Sequence, residues 1–392
     1  MSSSAAPVFG AEFERKSTLW LAVTVATLTS MLIGILPLGI GMFADRLSLS
    51  LEQTGVLASA IQIGSGVGGL AVLKLRRMPH WRSVAFVCAT LAALLNALTV
   101  FAHSAFSLMS VQLTASVAGG CIYGLAIYIT GRVPHPDRAF GLMYSVGLAG
   151  YSLFAVSFPV LQRIGGFVLA LNSFGAFLLI AGFIAWFLPD RDRGDPEPQW
   201  RAQGTMRKIV APGLAVIGVV LFELGVLAVW AYTERIGRLA GFSPEAIGGA
   251  VAIGGLAGVA GALTAAALNV RLGRLPSAII AVATILIGDG LLWSPASFLS
   301  YAVGCCFFSY GWLLGLPYFM GAIVALDQTG ALTSLILPAQ TAGAVLGPAV
   351  AALAVGESST HGAVAVSSLA CIVALAPLTI LSVQRRRALT TV

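Results

Sequence analysis

SLSLEQTGVLASAIQIGSGVGGLAVLKLRR, residues 48–77, decides how the chain is to be read. It opens with Ser50, Glu52 and Gln53, where a serine oxygen caps the free N–H groups of a starting helix. About twenty largely apolar residues follow, Gly55 to Leu73, rich in Gly and Ser, and the stretch closes on Lys74, Arg76 and Arg77. The pattern returns 193 residues later as GFSPEAIGGAVAIGGLAGVAGALTAAALNVRLGR, residues 241–274. Ser243 answers Ser50, Glu245 answers Glu52, Gly248 answers Gly55, Gly258 answers Ser65 and Gly261 answers Gly68. A long apolar helix with the same entry and exit, repeated at half the chain length, indicates duplicated membrane architecture.

Composition agrees. Of 392 residues, 58% are hydrophobic and only 9% charged, and the mean hydropathy is +0.94. Soluble domains carry about 25% charged residues, so a water-soluble globule is excluded. The net charge of +7 would suggest nucleic acid, but its placement follows the membrane rule instead. Cys88, Cys121, Cys305, Cys306 and Cys371 lie in apolar segments without CxxC spacing and read as packing residues. Residues 1–17 hold Glu12, Glu14, Arg15 and Lys16 and lack the order of a signal peptide, so the first apolar run reads as a retained anchor.

Twelve apolar runs are long enough to cross ~30 Å of hydrocarbon: 18–43, 51–75, 82–101, 106–130, 138–161, 165–188, 209–233, 244–270, 276–294, 297–322, 329–354 and 361–384. None alternates with period two, which leaves helices as the way to satisfy backbone polar groups in lipid. With the N-terminus inside, 18 of the 22 Lys and Arg fall on the inner side and 4 on the outer, namely Arg46, Arg163, Arg235 and Arg238. That asymmetry predicts both termini in the cytoplasm and a multi-pass protein of the cytoplasmic membrane. Residues 189–208, rich in Pro and charge, read as a cytoplasmic linker between bundles 1–188 and 209–392. Trp20, Trp81, Trp186 and Trp293 fall near run ends, as interfacial aromatic belts do.

Six plus six helices, a central linker and matching second and eighth helices resemble the major facilitator superfamily over essentially the whole chain. The family's loop motif after the second helix, Gly-x-x-x-Asp-Arg-x-Gly-Arg, is matched after the eighth by Arg271, Gly273 and Arg274, with Val270 where the acid belongs. The first-half copy keeps Lys74 and Arg77. The missing acids put the loop's usual charge relay in question, and these five residues are the expected cytoplasmic gating positions. Gly343-Ala-Val-Leu-Gly347-Pro348 in the eleventh helix is similar to the Gly-x-x-x-Gly-Pro motif of the family's fifth helix. Thr114 and Ala115 replace the arginine that drug–proton antiporters carry in the fourth, which argues against that subclass.

Two acids lie within apolar runs, Glu223 and Asp289. A bare carboxylate in lipid is costly, so each must face water, take up a proton or pair with a neighbour. Glu223 shares a helix face with Leu227, Trp230 and Glu234. By resemblance its helix borders a central cavity, so Glu223 is the leading candidate for proton coupling. The ninth helix is peripheral in the family, and Asp289, near its outer end, reads as structural first and coupling second.

The tenth helix carries Tyr301, Cys305, Phe308, Trp312, Gly315 and Phe319 on one face. This stripe is either a solute-contacting wall or helix packing. By resemblance helices one, four, seven and ten line the path, which makes Met31, Gln112, Tyr123, Trp230, Tyr301, Phe308 and Trp312 the path candidates. No basic residue is placed mid-membrane, which disfavours multiply charged solutes. Gly64-x-Gly66-x-x-Gly69 imitates a nucleotide fingerprint but lacks the preceding strand and following acid. The four histidines are too scattered to predict a metal site.

The expectation is therefore an all-α membrane protein, two pseudo-symmetric six-helix bundles of the major facilitator fold. It is expected to act as a monomeric secondary transporter of a small organic solute, coupled to protons, with no cofactor and no nucleic acid partner. The alternatives are a proton-independent facilitator and, in another class, a transport-dead receptor or intramembrane enzyme.

Overall fold

A computed structural model describes residues 13, 15–49, 51–190, 205–327, 330–355 and 359–390. Ser50, Glu12, Glu14, Thr329 and most of the 189–208 linker lie outside these residues. No strand occurs among those described. Fourteen α-helices follow in order: α1 Lys16–Thr29, α2 Met31–Gly34, α3 Leu36–Leu47, α4 Leu51–Leu75, α5 Trp81–Leu98, α6 Ala105–Gly131, α7 Pro136–Ala185, α8 Thr205–Trp230, α9 Thr233–Leu239, α10 Pro244–Leu268, α11 Arg274–Trp293, α12 Phe298–Leu326, α13 Ile336–Ala354 and α14 His361–Thr390.

Eleven stretches among the described residues are long and apolar enough to cross a membrane. The twelfth crossing is the first in the chain, and it is built from α1, α2 and α3 in pieces. Ser30 and Ile35 leave helical geometry between them, and Pro37, at the start of α3, has no N–H to continue the ladder. α7 serves as two crossings, joined at Gly166, whose φ of 61° needs no Cβ. Leu153, Val156, Leu299 and Leu353 are largely exposed, as side chains that face lipid rather than water are.

The chain forms two compact units. The first comprises Met1–Pro134, Val146–Ala202 and Asp327–Pro338; the second comprises His135–Ser145, Gln203–Leu326 and Ala339–Val392. The short segments 135–145 and 327–338, each counted with the other half's helices, are themselves separated by about the 193-residue repeat.

Small residues set the helix spacing inside each unit, as lipid-embedded packing requires. In the first unit, a methyl group on Gly64 would come within 2.5 Å of the Leu113 carbonyl oxygen, and one on Gly68 within 2.7 Å of the Cys121 nitrogen. α4 therefore lies backbone to backbone on α6. In the second, Gly254 would meet the Cys305 oxygen at 3.2 Å and Gly261 the Tyr310 carbonyl carbon at 3.0 Å, so α10 lies on α12 in the same way. Ser243 caps α10 by accepting from the Ala246 N–H at 3.2 Å.

Trp20, Trp186 and Trp293 are about half exposed at helix ends, as a belt requires. Trp81 is not: it is 1% exposed. Its ring stands edge-on to Tyr128 at 5.6 Å, and its Nε1 donates to the Leu75 carbonyl at 3.0 Å. A residue near a helix end can turn inward when a neighbouring carbonyl satisfies its indole N–H. All five cysteines are free thiols.

Candidate functional site

Polar side chains buried in an apolar bundle need hydrogen-bond partners. In the first unit they gather around a cavity of about 40 Å³ lined by Thr29, Met31, Ser65, Asn96, Gln112, Ser116, Tyr123 and apolar neighbours. Gln112 is wholly buried; its Nε2 donates to Thr99 Oγ1 at 2.9 Å and Asn96 Oδ1 at 3.3 Å. Asn96 donates to the Ala92 carbonyl. The other end of the amide, Gln112 Oε1, has no hydrogen-bond partner among the described residues. Three path candidates, Met31, Gln112 and Tyr123, thus line one cavity.

The broken first crossing is held open beside it. Ser30 Oγ and Tyr151 Oη share a 2.6 Å hydrogen bond, and a side chain on Gly34 would overlap the Tyr151 ring.

Glu223 lies in the second unit, on α8, 4% exposed. Its Oε1 accepts from Gln340 Nε2 at 3.1 Å, and the same nitrogen donates to Tyr144 Oη at 2.6 Å. Gln340 Oε1 has no partner among the described residues. The glycine pair of α13 explains this closeness. A methyl group on Gly343 would come within 2.5 Å of Glu223 Cβ, and one on Gly347 within 2.6 Å of the Leu224 carbonyl oxygen. The Gly343–Gly347 motif thus lets α13 lie on α8 and brings Gln340 to the acid.

The aromatic stripe divides. Tyr301 and Phe308 are buried. Tyr301 Oη donates to the Thr233 carbonyl at 2.9 Å, fixing α12 to α9. Phe319 stacks on Phe222 with ring centres 4.4 Å apart. These side chains make packing contacts within the second unit. Trp312 stands apart: it faces Trp230 at 6.0 Å and Phe308 at 6.3 Å, and its Nε1 has no partner among the described residues. Trp230 is 37% exposed.

Asp289, on α11, is 1% exposed and accepts from Ser368 Oγ of α14 at 2.8 Å. It is a buried group that bridges two helices.

Of the loop residues, Lys74, Arg77 and Arg271 are exposed, and Gly273, with φ 86°, makes the turn before α11. Arg274 grips Asp137 with two hydrogen bonds, Nε to Oδ1 at 2.9 Å and a terminal nitrogen to Oδ2 at 2.7 Å. The acid missing at Val270 is replaced from the first turn of α7. A forked pair of this kind is among the stronger polar contacts. In the first unit Asp327 accepts the Thr333 N–H at 2.7 Å and its hydroxyl as well, at the start of the eleventh crossing.

Sequence reasoning missed Gln340, Tyr144, Asn96, Thr99, Tyr151 and the serine pair 367–368. Each is an uncharged polar residue in an apolar run, and counting amides and hydroxyls alongside charges would have found them.

No family model matches the sequence, and no curated protein matches it. Solved structures do match in shape. The fucose:proton symporter FucP of E. coli matches at TM-score 0.71 and 14% identity, over 92% of this chain and 98% of that one; the same figures hold for FucP described as a major facilitator superfamily transporter in the outward conformation. The proton:xylose symporter XylE, bound to 6-bromo-6-deoxy-D-glucose, matches at 0.68 and 14%, over 92% and 94%. The chain is an all-α, multi-pass membrane protein with the major facilitator fold.

Proposed function

We propose that the chain is a secondary active transporter that moves a small organic solute by alternating access, with Glu223 carrying the coupled proton. One observation bears most of the weight: a carboxyl deep in an apolar bundle that accepts its hydrogen bond from a neutral amide, Gln340. A carboxylate so placed needs charge compensation, and a proton supplies it. Gln340 suits both states. Its N–H₂ serves the charged carboxylate; turned over, its oxygen accepts from the protonated acid. The names of FucP and XylE, two proton symporters of sugars, support the reading.

Met31, Gln112 and Tyr123 contact the solute from the first-unit cavity, and Trp230 and Trp312 offer ring faces and an indole N–H in the second. Amides, hydroxyls and rings without a basic group suit an uncharged or singly charged solute with hydrogen-bonding edges. Arg274–Asp137 and the Lys74, Arg77, Arg271 and Gly273 loops act as cytoplasmic gate elements. The protein works as a monomer in the cytoplasmic membrane with both termini inside. It is organised as 1–188, a linker 189–208, and 209–392, and it performs no catalysis.

Proteoliposomes with an imposed pH gradient test this, screened with sugars, aromatic acids and amphipathic drugs. The wild type should accumulate its solute against a gradient. Glu223→Gln should lose accumulation at least ~10-fold while retaining solute exchange at equal pH. Normal accumulation by that variant, with unchanged pH dependence, leaves the proton-independent facilitator as the function.

A further inference from the structure

Gln340 stands between two groups whose positions are fixed by backbone packing. On one side Gly343 and Gly347 of its own helix lie against Glu223 Cβ and the Leu224 carbonyl, which holds α8 in place. On the other side Tyr144 lies near the start of α7. There Arg274 grips Asp137, and a methyl group on Gly141 would come within 2.8 Å of the Ala262 carbonyl oxygen of α10. Between them Gln340 Nε2 donates both ways, to Glu223 Oε1 at 3.1 Å and to Tyr144 Oη at 2.6 Å. Both hydrogens of that nitrogen are thereby used, while Gln340 Oε1 has no partner among the described residues. A carboxylate suits this arrangement. A protonated Glu223 does not, because it brings a hydrogen that an amide nitrogen cannot accept. The unpaired oxygen of the same amide can accept it. The last torsion of a glutamine side chain is broad and roughly two-fold, so the exchange takes a half-turn of the amide and no helix movement.

We propose that Gln340 is a positioning residue that turns over when Glu223 takes up its proton, and that Tyr144 reverses with it. This rests on Glu223 as the proton site. With the carboxylate, Nε2 faces both partners and the tyrosine oxygen accepts. With the acid, Oε1 faces both, and its two lone pairs take the Glu223 and Tyr144 hydroxyls. One O–H bond forms, at Glu223, and none breaks within the protein. The end of the amide left over changes from an acceptor to a pair of donors. Protonation of a buried carboxyl thus inverts the hydrogen bonding of two half-buried side chains. The other neighbours of Glu223 do not offer this. Gly343 has no side chain. Helix α12 meets this part of α8 through rings, with Phe319 on Phe222. Helix α14 brings the Cys371 thiol, a weak hydrogen-bonding group. None of these is a charged residue.

The test is infrared difference spectroscopy of the full chain in lipid vesicles, between high and low pH. Lowering the pH should raise the stretch of a hydrogen-bonded carboxylic acid, together with shifts in a glutamine amide band and a tyrosine band. Glu223→Gln should lose all three. Gln340→Met, of similar length but with no donor and only a weak acceptor, should keep the carboxyl band and shift it to the higher frequency of an acid that donates to nothing. Tyr144→Phe should keep the carboxyl and amide changes and lose the tyrosine one. A carboxyl band at the wild-type frequency in Gln340→Met overturns the proposal. So does an amide band that stays still in the wild type, or a tyrosine shift that survives Tyr144→Phe. If the wild type shows no carboxyl band that Glu223→Gln removes, Glu223 is not the proton site, and the coupling proposed above falls along with the switch. If Gln340→Met fails to fold, the wild-type amide and tyrosine bands and their loss in Glu223→Gln still decide.

Discussion

Ser30 and Glu223 stand 193 residues apart, the offset at which the second crossings repeat. In the first unit Ser30 takes a tyrosine, Tyr151, from the fifth crossing; in the second Glu223 takes a glutamine, Gln340, from the eleventh. Both contacts rest on a glycine, Gly34 or Gly343, that has no side chain to keep the helices apart. Asn96 and Asp289 make a second such pair. At these two repeat positions the first unit carries a hydroxyl and an amide, Ser30 and Asn96, and the second carries the carboxyls of Glu223 and Asp289. The repeat thus sets a neutral side chain against an acid at each of these two positions.

The comparison would break first at Glu223. Its replacement by Gln should reduce pH-driven accumulation at least ~10-fold, whereas Ser30→Ala, the same position in the other unit, should leave accumulation within about threefold. Equal losses in the proteoliposome assay would mean the two halves share the coupling. Next comes the helix spacing. Gly343→Val or Gly68→Val should cost on the order of 1–3 kcal/mol or more by forcing backbones apart, read as a lower Tm in detergent. A cost at only one site would show that the two units do not depend on glycine alike.

Asp137 and Arg274 offer a third test. Arg274 keeps 22% of its side-chain exposure while Asp137 keeps 1%, so solvent screens the pair in part. A double-mutant cycle with Asp137→Asn and Arg274→Gln should return a coupling of about 1–3 kcal/mol in thermal stability. The smallest effects belong to two uncharged groups of the first unit. Gln112→Leu should cost about 1–2 kcal/mol by stranding Thr99 and Asn96, and Tyr151→Phe about 1 kcal/mol for the lost Ser30 bond. Both are measurable by the same melts.

The frame was legible before any coordinates because lipid imposes it on composition. Apolar runs of crossing length, basic loops and the copied Gly-rich helix each report a solvent that cannot pair with the backbone. Gly64, Gly68, Gly254 and Gly261 declared close packing by spacing alone, and the helices do meet there. The acids declared themselves by their cost.

Partners were another matter. Nothing in the spacing of Gln340 points to Glu223, 117 residues away, and nothing near Val270 points to Asp137 as the acid for Arg274. Position near a helix end did not tell Trp81, buried, from Trp186, exposed. Nor did the stripe on α12 show that Tyr301 would bond a backbone carbonyl while Trp312 kept a free indole N–H.

The sequence by itself determined that this chain is a duplicated, helical, lipid-embedded protein, because hydrophobicity and charge are properties each residue carries into any fold. Only the tertiary structure decided which polar groups satisfy one another. A hydrogen bond needs two atoms within about 3 Å, and packing between distant helices, rather than order along the chain, sets that distance.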